Sequence, residues 1–221
     1  MCDDITTQRN MFLDQILAER RSHRIFRPEP CSDDDIRRIL HAGLLAPFAA
    51  AAVGNSHDYF RRFFVLRLGS ESMKTAQRSV NRQIAKMAEE LETAMKNNAT
   101  LREKADGFAR RLAMFRDKGM VPGIGTAPFY IVVAERRGFP PVGPQSLAHC
   151  LENMWLKATA LGLGFQLVSV TAEMSSDTEF CALLGLPPGA WDLMGCAVGY
   201  PPDDLSPSIR PPVEDVTRWL P

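Results

Sequence analysis

The chain has 221 residues, of which 45% are hydrophobic, and its 26 lysines and arginines are balanced by 26 aspartates and glutamates. This length supports one domain, or at most two small ones, and a globule of this size buries roughly 70% of its unfolded surface. Zero net charge argues against a general nucleic-acid binder, which needs a basic surplus to displace counterions. No run reaches ~18 apolar residues, so we predict no transmembrane helix.

Cysteine usage and the first residues indicate the compartment. The five cysteines are widely spaced and form no CxxC pair, which favours neither a disulfide framework nor a zinc site. The opening MCDDITTQRN lacks the basic and apolar regions of a secretory signal. We therefore expect a cytoplasmic protein in a reducing environment.

The first elements are predicted from apolar spacing and capping residues. Residues 7–20 show the spacing of an amphipathic helix, and the following stretch, RRSHRIFR, runs into prolines that force an extended conformation. Ser32 and the three aspartates after it are typical of a helix start, and we expect that helix to end near Pro47. Residues 62–68 resemble a strand.

Residues 71–117 hold no proline and consist mainly of strong helix formers. They predict one long helix or two, with a break near residues 97–100. Because they lie between two core strands, the excess falls outside the core and forms either a lid over a pocket or a surface excursion. The candidates for an apolar lining of such a lid are Met87, Met95, Phe108, Met114 and Phe115.

The second half alternates strands and helices. The continuous apolar residues 129–134 predict a central strand that is buried on both faces. A helix from Pro144, a strand over residues 165–170, a short helix from Ser175 or Ser176 and a strand over residues 193–198 are expected to follow. The proline-rich tail over residues 201–221 cannot form an ordinary helix. This order predicts an α+β or α/β fold in three layers, with a sheet of about four strands.

The usual catalytic signatures are missing from the sequence, which contains no HExxH, Walker or GxSxG motif. Residues 20–24, called here the basic segment, instead combine three arginines with a serine hydroxyl. Guanidinium forks bind phosphate in a bidentate manner, so the basic segment is either a phosphate site or a solvated charge cluster. Arg210, isolated among prolines, is a second and weaker candidate donor.

The order of several motifs resembles the FMN-dependent nitroreductase family. The motifs are RRSHRIFRPEP, DDDIRRILHAGLLAP and GNS in the first half, then ALGLGFQLVSV, LLGLPPGAWDL and VGYPPDD in the second. The resemblance covers most of the chain outside residues 70–120, which match a variable helical excursion near the pocket. It implies a single nitroreductase-like domain over residues 1–221, of α+β class. In this three-layer fold, a central mixed sheet of about four to five strands is flanked by helices and followed by an extended C-terminal arm, residues 201–221.

The resemblance also implies a homodimer with two FMN molecules at its interface. Arg20, Arg21, Ser22 and Arg24 match the segment that holds the FMN phosphate and ribityl chain. Arg210 matches an arginine of the C-terminal arm that also reaches the phosphate.

Pro47 and Phe48 match the loop that approaches the flavin from the partner subunit, and Asn55 matches its asparagine. The sequence departs from the family here, because Phe48 replaces a usual serine and residues 57–59 replace a usual Gln-Pro-Trp. Ser208 stands where a second basic residue is common in the arm. Phe48 either stacks near the isoalloxazine ring or fills space.

A strand end is implied to face the flavin ring with its backbone amides, one of them near N5. The residues that match it are Val168, Ser169 and Val170. An amide aimed there stabilises reduced flavin, so hydride chemistry needs no catalytic side chain and no metal.

The function implied is an FMN-dependent oxidoreductase with a ping-pong mechanism. NAD(P)H reduces the flavin and leaves, and a small oxidant such as a nitroaromatic or a quinone replaces it. The alternative is a flavin-binding or flavin-storage protein without that activity. A third possibility is a special chemistry on the same scaffold, such as flavin fragmentation or reductive dehalogenation.

Overall fold

The structure is a computed structural model that describes residues 2–54, 58–203 and 208–220. Its helices are α1 (Cys2–Glu19), α2 (Asp33–Leu44), α3 (Ala50–Val53), α4 (Glu71–Lys96), α5 (Ala99–Lys118), α6 (Gly143–Ala160) and α7 (Thr178–Leu184). Its strands are β1 (Arg61–Arg67), β2 (Phe129–Arg136), β3 (Gly164–Val168) and β4 (Trp191–Gly199). Two 3₁₀ helices span Ser169–Ser176 and Val213–Val216.

The four strands form one sheet in the order β1-β2-β4-β3, and each neighbouring pair is antiparallel. The α+β class and the strand number are confirmed, but the expectation of a mixed sheet is wrong for these pairs. β2 and β3 run in the same direction through the crossover helix α6, yet β4 lies between them and no parallel neighbours result. The parallel component is an isolated bridge between Ser22 and Phe165.

Helices cover both faces of the sheet, which gives the three predicted layers. On one face, α2 and α6 pack on side chains such as Ile131, Phe165 and Val198. On the other face, α4, α5 and the 3₁₀ helix Ser169–Ser176 enclose a second apolar cluster that includes Val132. The prediction of a central strand is confirmed, since residues 129–135 of β2 are all buried.

Local caps define the helix ends that the sequence predicts. The Ser32 side chain accepts a hydrogen bond from the Asp35 amide at 3.1 Å and so begins α2. Asn97 ends α4, and the Asn98 side chain accepts from the Leu101 amide at 3.0 Å to begin α5. The expected break near residues 97–100 is confirmed.

Two expected boundaries are wrong. The strand expected over residues 165–170 ends at Val168, because the chain turns there into the 3₁₀ helix. The short helix expected from Ser175 or Ser176 begins after Asp177, whose carboxylate accepts from the Phe180 amide at 2.7 Å. A carboxylate is a good N-cap acceptor, and the two serines still belong to the preceding 3₁₀ helix.

The two ends of the chain expose apolar side chains. Helix α1 presents Met11, Leu13 and Leu17 to solvent, and the C-terminal arm leaves Trp219 92% exposed. Apart from the 3₁₀ helix Val213–Val216, the described part of the arm is non-helical, as the prolines predict. None of the helices in the described ranges is long and apolar enough to span a bilayer.

Candidate functional site

The basic segment lies along the outer edge of β3. Ser22 bridges to Phe165 in parallel register, and the His23 amide donates to the Phe165 carbonyl oxygen at 3.0 Å. From the other side, the Trp155 indole Nε1 donates to the Arg21 carbonyl oxygen at 3.1 Å. These contacts from a strand and a helix therefore hold the backbone of the basic segment in place relative to the sheet.

The arginines of the basic segment have different surroundings. The Arg20 guanidinium lies 4.3 Å from the centre of the Trp155 ring, and its Nε is 3.3 Å from Glu152 Oε1. Trp155 in turn stacks on Phe165 at 5.2 Å between ring centres. The Arg24 side chain is exposed and, within the described ranges, makes no hydrogen bond or ion pair. Arg20 is therefore partly committed to α6, whereas all the donors of Arg24 remain available.

An open cleft of about 440 Å³ adjoins the continuation of the basic segment. Its lining residues are Arg27, Gly162, Tyr200, Pro201, Pro202 and Asp203. The Arg27 amide donates to the Tyr200 carbonyl oxygen at 2.9 Å, which ties this cleft to the end of β4.

The end of β3 presents backbone amides at the same edge. Val168 and Val170 are buried in the core, while Ser169 between them is exposed. Ser169 starts a 3₁₀ helix, and the first amides of a helix have no partner within it. Of the three residues expected at the end of one strand, Val168 ends β3, whereas Ser169 and Val170 belong to the following 3₁₀ helix. The Ser22 bridge to Phe165 lies three residues before Val168, so the two candidate regions are about 10 Å apart along the strand.

The loop after α2 forms a separate part of the surface. The Phe48 ring contacts Phe60 at 4.0 Å between centres. An apolar groove of about 280 Å³ beside it is lined by Pro47, Phe48, Ala49, Val142, Gln145, Ser146 and His149. The basic segment and residues 168–170 do not line this groove, so one chain alone does not bring Pro47 and Phe48 to them.

The remaining candidates stay predictions. Asn55 lies outside the described residues. Arg210 is exposed, and its Nη1 lies 3.2 Å from the carbonyl oxygen of its own neighbour Ile209.

A buried arginine behind the Phe48 loop escaped the sequence analysis. The Arg61 side chain is fully buried, and its Nε donates to Glu135 Oε1 at 2.6 Å. Its Nη1 donates to the Gly43 carbonyl oxygen at 2.7 Å and its Nη2 to Ser146 Oγ at 3.3 Å. Arg61 lies directly opposite Glu135 in the neighbouring strand, and this opposite-charge pair is the feature that would have predicted a buried ion pair. It can be recognised only once the register of β1 and β2 is known.

The buried thiols with raised pKa values are not thiolate nucleophiles. Burial raises the pKa of the Cys31 thiol to about 11 and that of Cys150 to about 12, so both are protonated at neutral pH. Burial also raises the pKa of the Tyr130 hydroxyl above its usual value. In the described residues, no group of three His, Cys, Asp or Glu side chains is arranged to hold a metal ion.

The fold is an antiparallel sheet covered by helices on both faces, with an arginine-rich segment along the outer edge of β3. The chain belongs to the Nitroreductase family, whose sequence profile matches residues 17–200. The resemblance seen in the sequence is therefore confirmed.

Particular relatives add detail. The chain is similar to a 5,6-dimethylbenzimidazole synthase from Rhodobacter capsulatus, with 29% identity over 194 residues, 86% of this chain and 83% of the relative. It also resembles the crystal structure of an FMN-bound nitroreductase from Bacteroides fragilis, with 19% identity, 95% and 98% coverage of the two chains and a TM-score of 0.65. A BluB-like flavoprotein from Clostridium difficile gives 20% identity, 95% and 99% coverage and a TM-score of 0.68. The FMN and NADPH-dependent nitroreductase NfnB from Sphigopyxis gives 21% identity, 95% and 99% coverage and a TM-score of 0.66.

Proposed function

We propose that this protein is an FMN-dependent oxidoreductase in which NAD(P)H reduces the bound flavin and a small oxidant, a nitroaromatic or a quinone, is then reduced in a ping-pong cycle. The observation that carries the proposal is the pairing of the basic segment with β3, a few residues before the exposed residue Ser169, which starts a 3₁₀ helix. FMN as the cofactor is supported by the FMN-bound members among the structural relatives.

The residues present fit a bound flavin nucleotide. A phosphate dianion needs charge-assisted donors, and Arg24 has no competing partner within the described chain. Ser22 lies on the same held backbone and adds a hydroxyl donor, whereas Arg21 Nη1 already donates to the Arg20 carbonyl oxygen at 2.6 Å, so we assign Arg21 to the phosphate mainly through its charge. We assign Arg20 mainly to packing on Trp155, with its charge contributing to the local field.

FMN supplies hydride transfer when it is bound. The chain's own contribution is positional. With FMN held there, the Ser169 amide would direct its dipole at the ring and would favour the negative charge of the reduced state. Val168 and Val170 anchor that amide, because their side chains are buried in the core on either side of it.

A homodimer completes the proposed site. Exposed apolar side chains on α1 and on the C-terminal arm favour burial against another protein surface. We assign that surface to a second copy of the chain. In that dimer, Pro47 and Phe48 of one protomer reach the flavin of its partner, and Arg210 supplements the phosphate site. We also propose that the protein is cytoplasmic.

Helix α5 is the proposed wall of the substrate opening. Phe108 is 51% exposed and Met114 is 42% exposed, which leaves both available to a substrate. Met87 and Phe115 pack instead against the apolar cluster under α4 and α5, so their role is to hold the wall in place. Met95, also half-buried, completes the candidate set.

A second candidate function is the synthesis of 5,6-dimethylbenzimidazole, which the 29% identical Rhodobacter relative is named for. A third, flavin binding or storage without NAD(P)H oxidation, is motivated by Phe48 and Ser208, where the chain departs from the family pattern. The three functions predict different behaviour of the same purified protein.

One experiment separates them. The purified protein is expected to be yellow, and anaerobic NADPH or NADH is expected to bleach its flavin absorbance, which an added quinone then restores. Flavin that neither nicotinamide reduces favours storage, and 5,6-dimethylbenzimidazole detected by chromatography after turnover in air favours the second candidate. A colourless protein that ignores added FMN would overturn the proposal.

A further inference from the structure

A buried chain of hydrogen bonds holds the backbone where β3 ends. Thr171 Oγ1 donates to the Val168 carbonyl oxygen at 2.7 Å, and the Tyr130 hydroxyl lies 2.7 Å from the same threonine oxygen. A hydroxyl has only one proton to donate, so Tyr130 donates to Thr171 and Thr171 donates to Val168. Both side chains are fully buried, so water does not compete for either bond.

The neighbouring strand leaves room for this chain of bonds. Val168 pairs with Gly195 of β4. A Cβ atom at position 195 would overlap Thr171 Oγ1 and would lie 2.8 Å from Cε2 of Tyr130. A side chain there would displace the Thr171 hydroxyl and the Tyr130 ring, so the arrangement requires glycine at this position.

The carbonyl that Thr171 holds is rigidly connected to the amide of the proposed site. The Val168 C=O and the Ser169 N–H belong to one planar peptide unit and point in opposite directions. Fixing the direction of the carbonyl therefore fixes the direction of the amide. The Ser169 side chain is exposed, so core residues do not hold it. They hold this peptide unit through the Val168 carbonyl oxygen instead.

We infer that Tyr130 and Thr171 are positioning residues that aim the Ser169 amide and thereby set the reduction potential of the bound flavin. The inference rests on the proposed function, in which this amide faces the ring. An aimed dipole stabilises the reduced, more negative ring more than the oxidised ring, so loss of alignment lowers the potential.

Threonine variants test this directly. Thr171→Val removes the hydroxyl and keeps the shape, whereas Thr171→Ser keeps the hydroxyl. We expect Thr171→Val to lower the affinity for reduced FMN relative to oxidised FMN about tenfold, which is about 30 mV for a two-electron couple. Thr171→Ser should stay near the parent potential. In the protein without FMN, hydrogen exchange at the amides of residues 169–171 should accelerate in Thr171→Val and not in Thr171→Ser.

Tyrosine variants provide a second, milder test. Tyr130→Phe removes only the outer hydroxyl and is expected to lower the potential in the same direction by a smaller factor, about threefold in the affinity ratio. Thr178→Val makes the threonine change at an exposed position of α7, outside the proposed site, and should leave the potential unchanged. Tyr130→Phe decides the question if Thr171→Val fails to fold.

The outcomes separate the inference from the proposal beneath it. If FMN binds with unchanged potential, and exchange is unchanged in the folded Thr171 and Tyr130 variants, the inference is wrong and the proposed function stands. If the parent protein binds no FMN at all, the proposed function and the inference fall together. A lower potential with normal thermal stability supports positioning over a purely structural role.

Discussion

The buried ion pair behind the Phe48 loop makes the sharpest stability prediction. Arg61→Met removes a guanidinium that donates to Glu135, to the Gly43 carbonyl and to Ser146, and it leaves the Glu135 carboxylate buried without its cation. Breaking a buried pair from one side costs about 3–5 kcal/mol. A domain of this size loses about 2–4 °C per kcal/mol, so we expect the Tm to fall by about 6–20 °C.

A second variant separates the buried charge from the lost contacts. Arg61→Met combined with Glu135→Leu removes both charges, and the stranded carboxylate disappears with them. The Gly43 carbonyl still loses its donor, at a cost of about 1–3 kcal/mol. We therefore expect the double variant to be less destabilised than Arg61→Met alone, although not to reach the parent stability.

A surface arginine on the same strand is the matched control. Arg67 Nη2 lies 2.7 Å from Asp33 Oδ1, but both side chains are about half exposed. Arg67→Met should therefore cost less than ~1 kcal/mol. For all three variants, circular dichroism gives the free energy of unfolding from a urea titration and the Tm from a thermal scan. Equal losses in Arg61→Met and Arg67→Met, or a double variant no more stable than Arg61→Met, would refute the reasoning.

Four further predictions concern the proposed site and the thiols. Arg24→Ala should weaken FMN binding by about 1.5–3 kcal/mol in a fluorescence titration, while Arg37→Ala, on the exposed face of α2, should not; equal affinities would contradict the phosphate assignment. A chain that ends at Pro202 should elute as a monomer or aggregate and lose its flavin, so a flavin-loaded truncated dimer would contradict the role of the arm. Phe108→Ala should change the KM for bulky oxidants but not the Kd of FMN, and equal effects on every substrate would contradict a lining role for α5. In a Cys2→Ser variant the other four thiols are all buried and should not react with Ellman's reagent at pH 8 before urea unfolds the chain; rapid reaction of the native protein would contradict their burial.

Elements with strong local signals were predictable from the sequence. The continuous apolar run of β2 indicated a strand buried on both faces, and it is one. Ser32, followed by three aspartates, was predicted to cap a helix, and it caps α2. Two adjacent asparagines separate α4 from α5 at the predicted break. In each case the deciding groups lie within a few residues of the boundary.

Features that depend on distant contacts were not predictable. At the end of β3, Thr171 holds the Val168 carbonyl, but Tyr130, whose hydroxyl contacts Thr171, is 41 residues away in the sequence. The antiparallel pattern arises because β4, the last strand, inserts between β2 and β3, which no local propensity encodes. For the site, the motif resemblance supplied the basic segment and the strand end, but the supporting residues Arg61 and Tyr130 become visible only in three dimensions.

The strand order leaves β3 at the margin of the sheet, where unpaired amide and carbonyl groups invite another chain to add a strand. The basic segment blocks part of that margin, since Ser22 and His23 use the backbone groups of Phe165. The basic segment, which we assign to the phosphate, therefore also prevents another chain from pairing with this part of the β3 edge. Ligand loss and aggregation should consequently rise together in variants that detach this segment. Selection for solubility alone would then preserve the backbone conformation of the basic segment, even in a descendant protein that no longer binds a flavin.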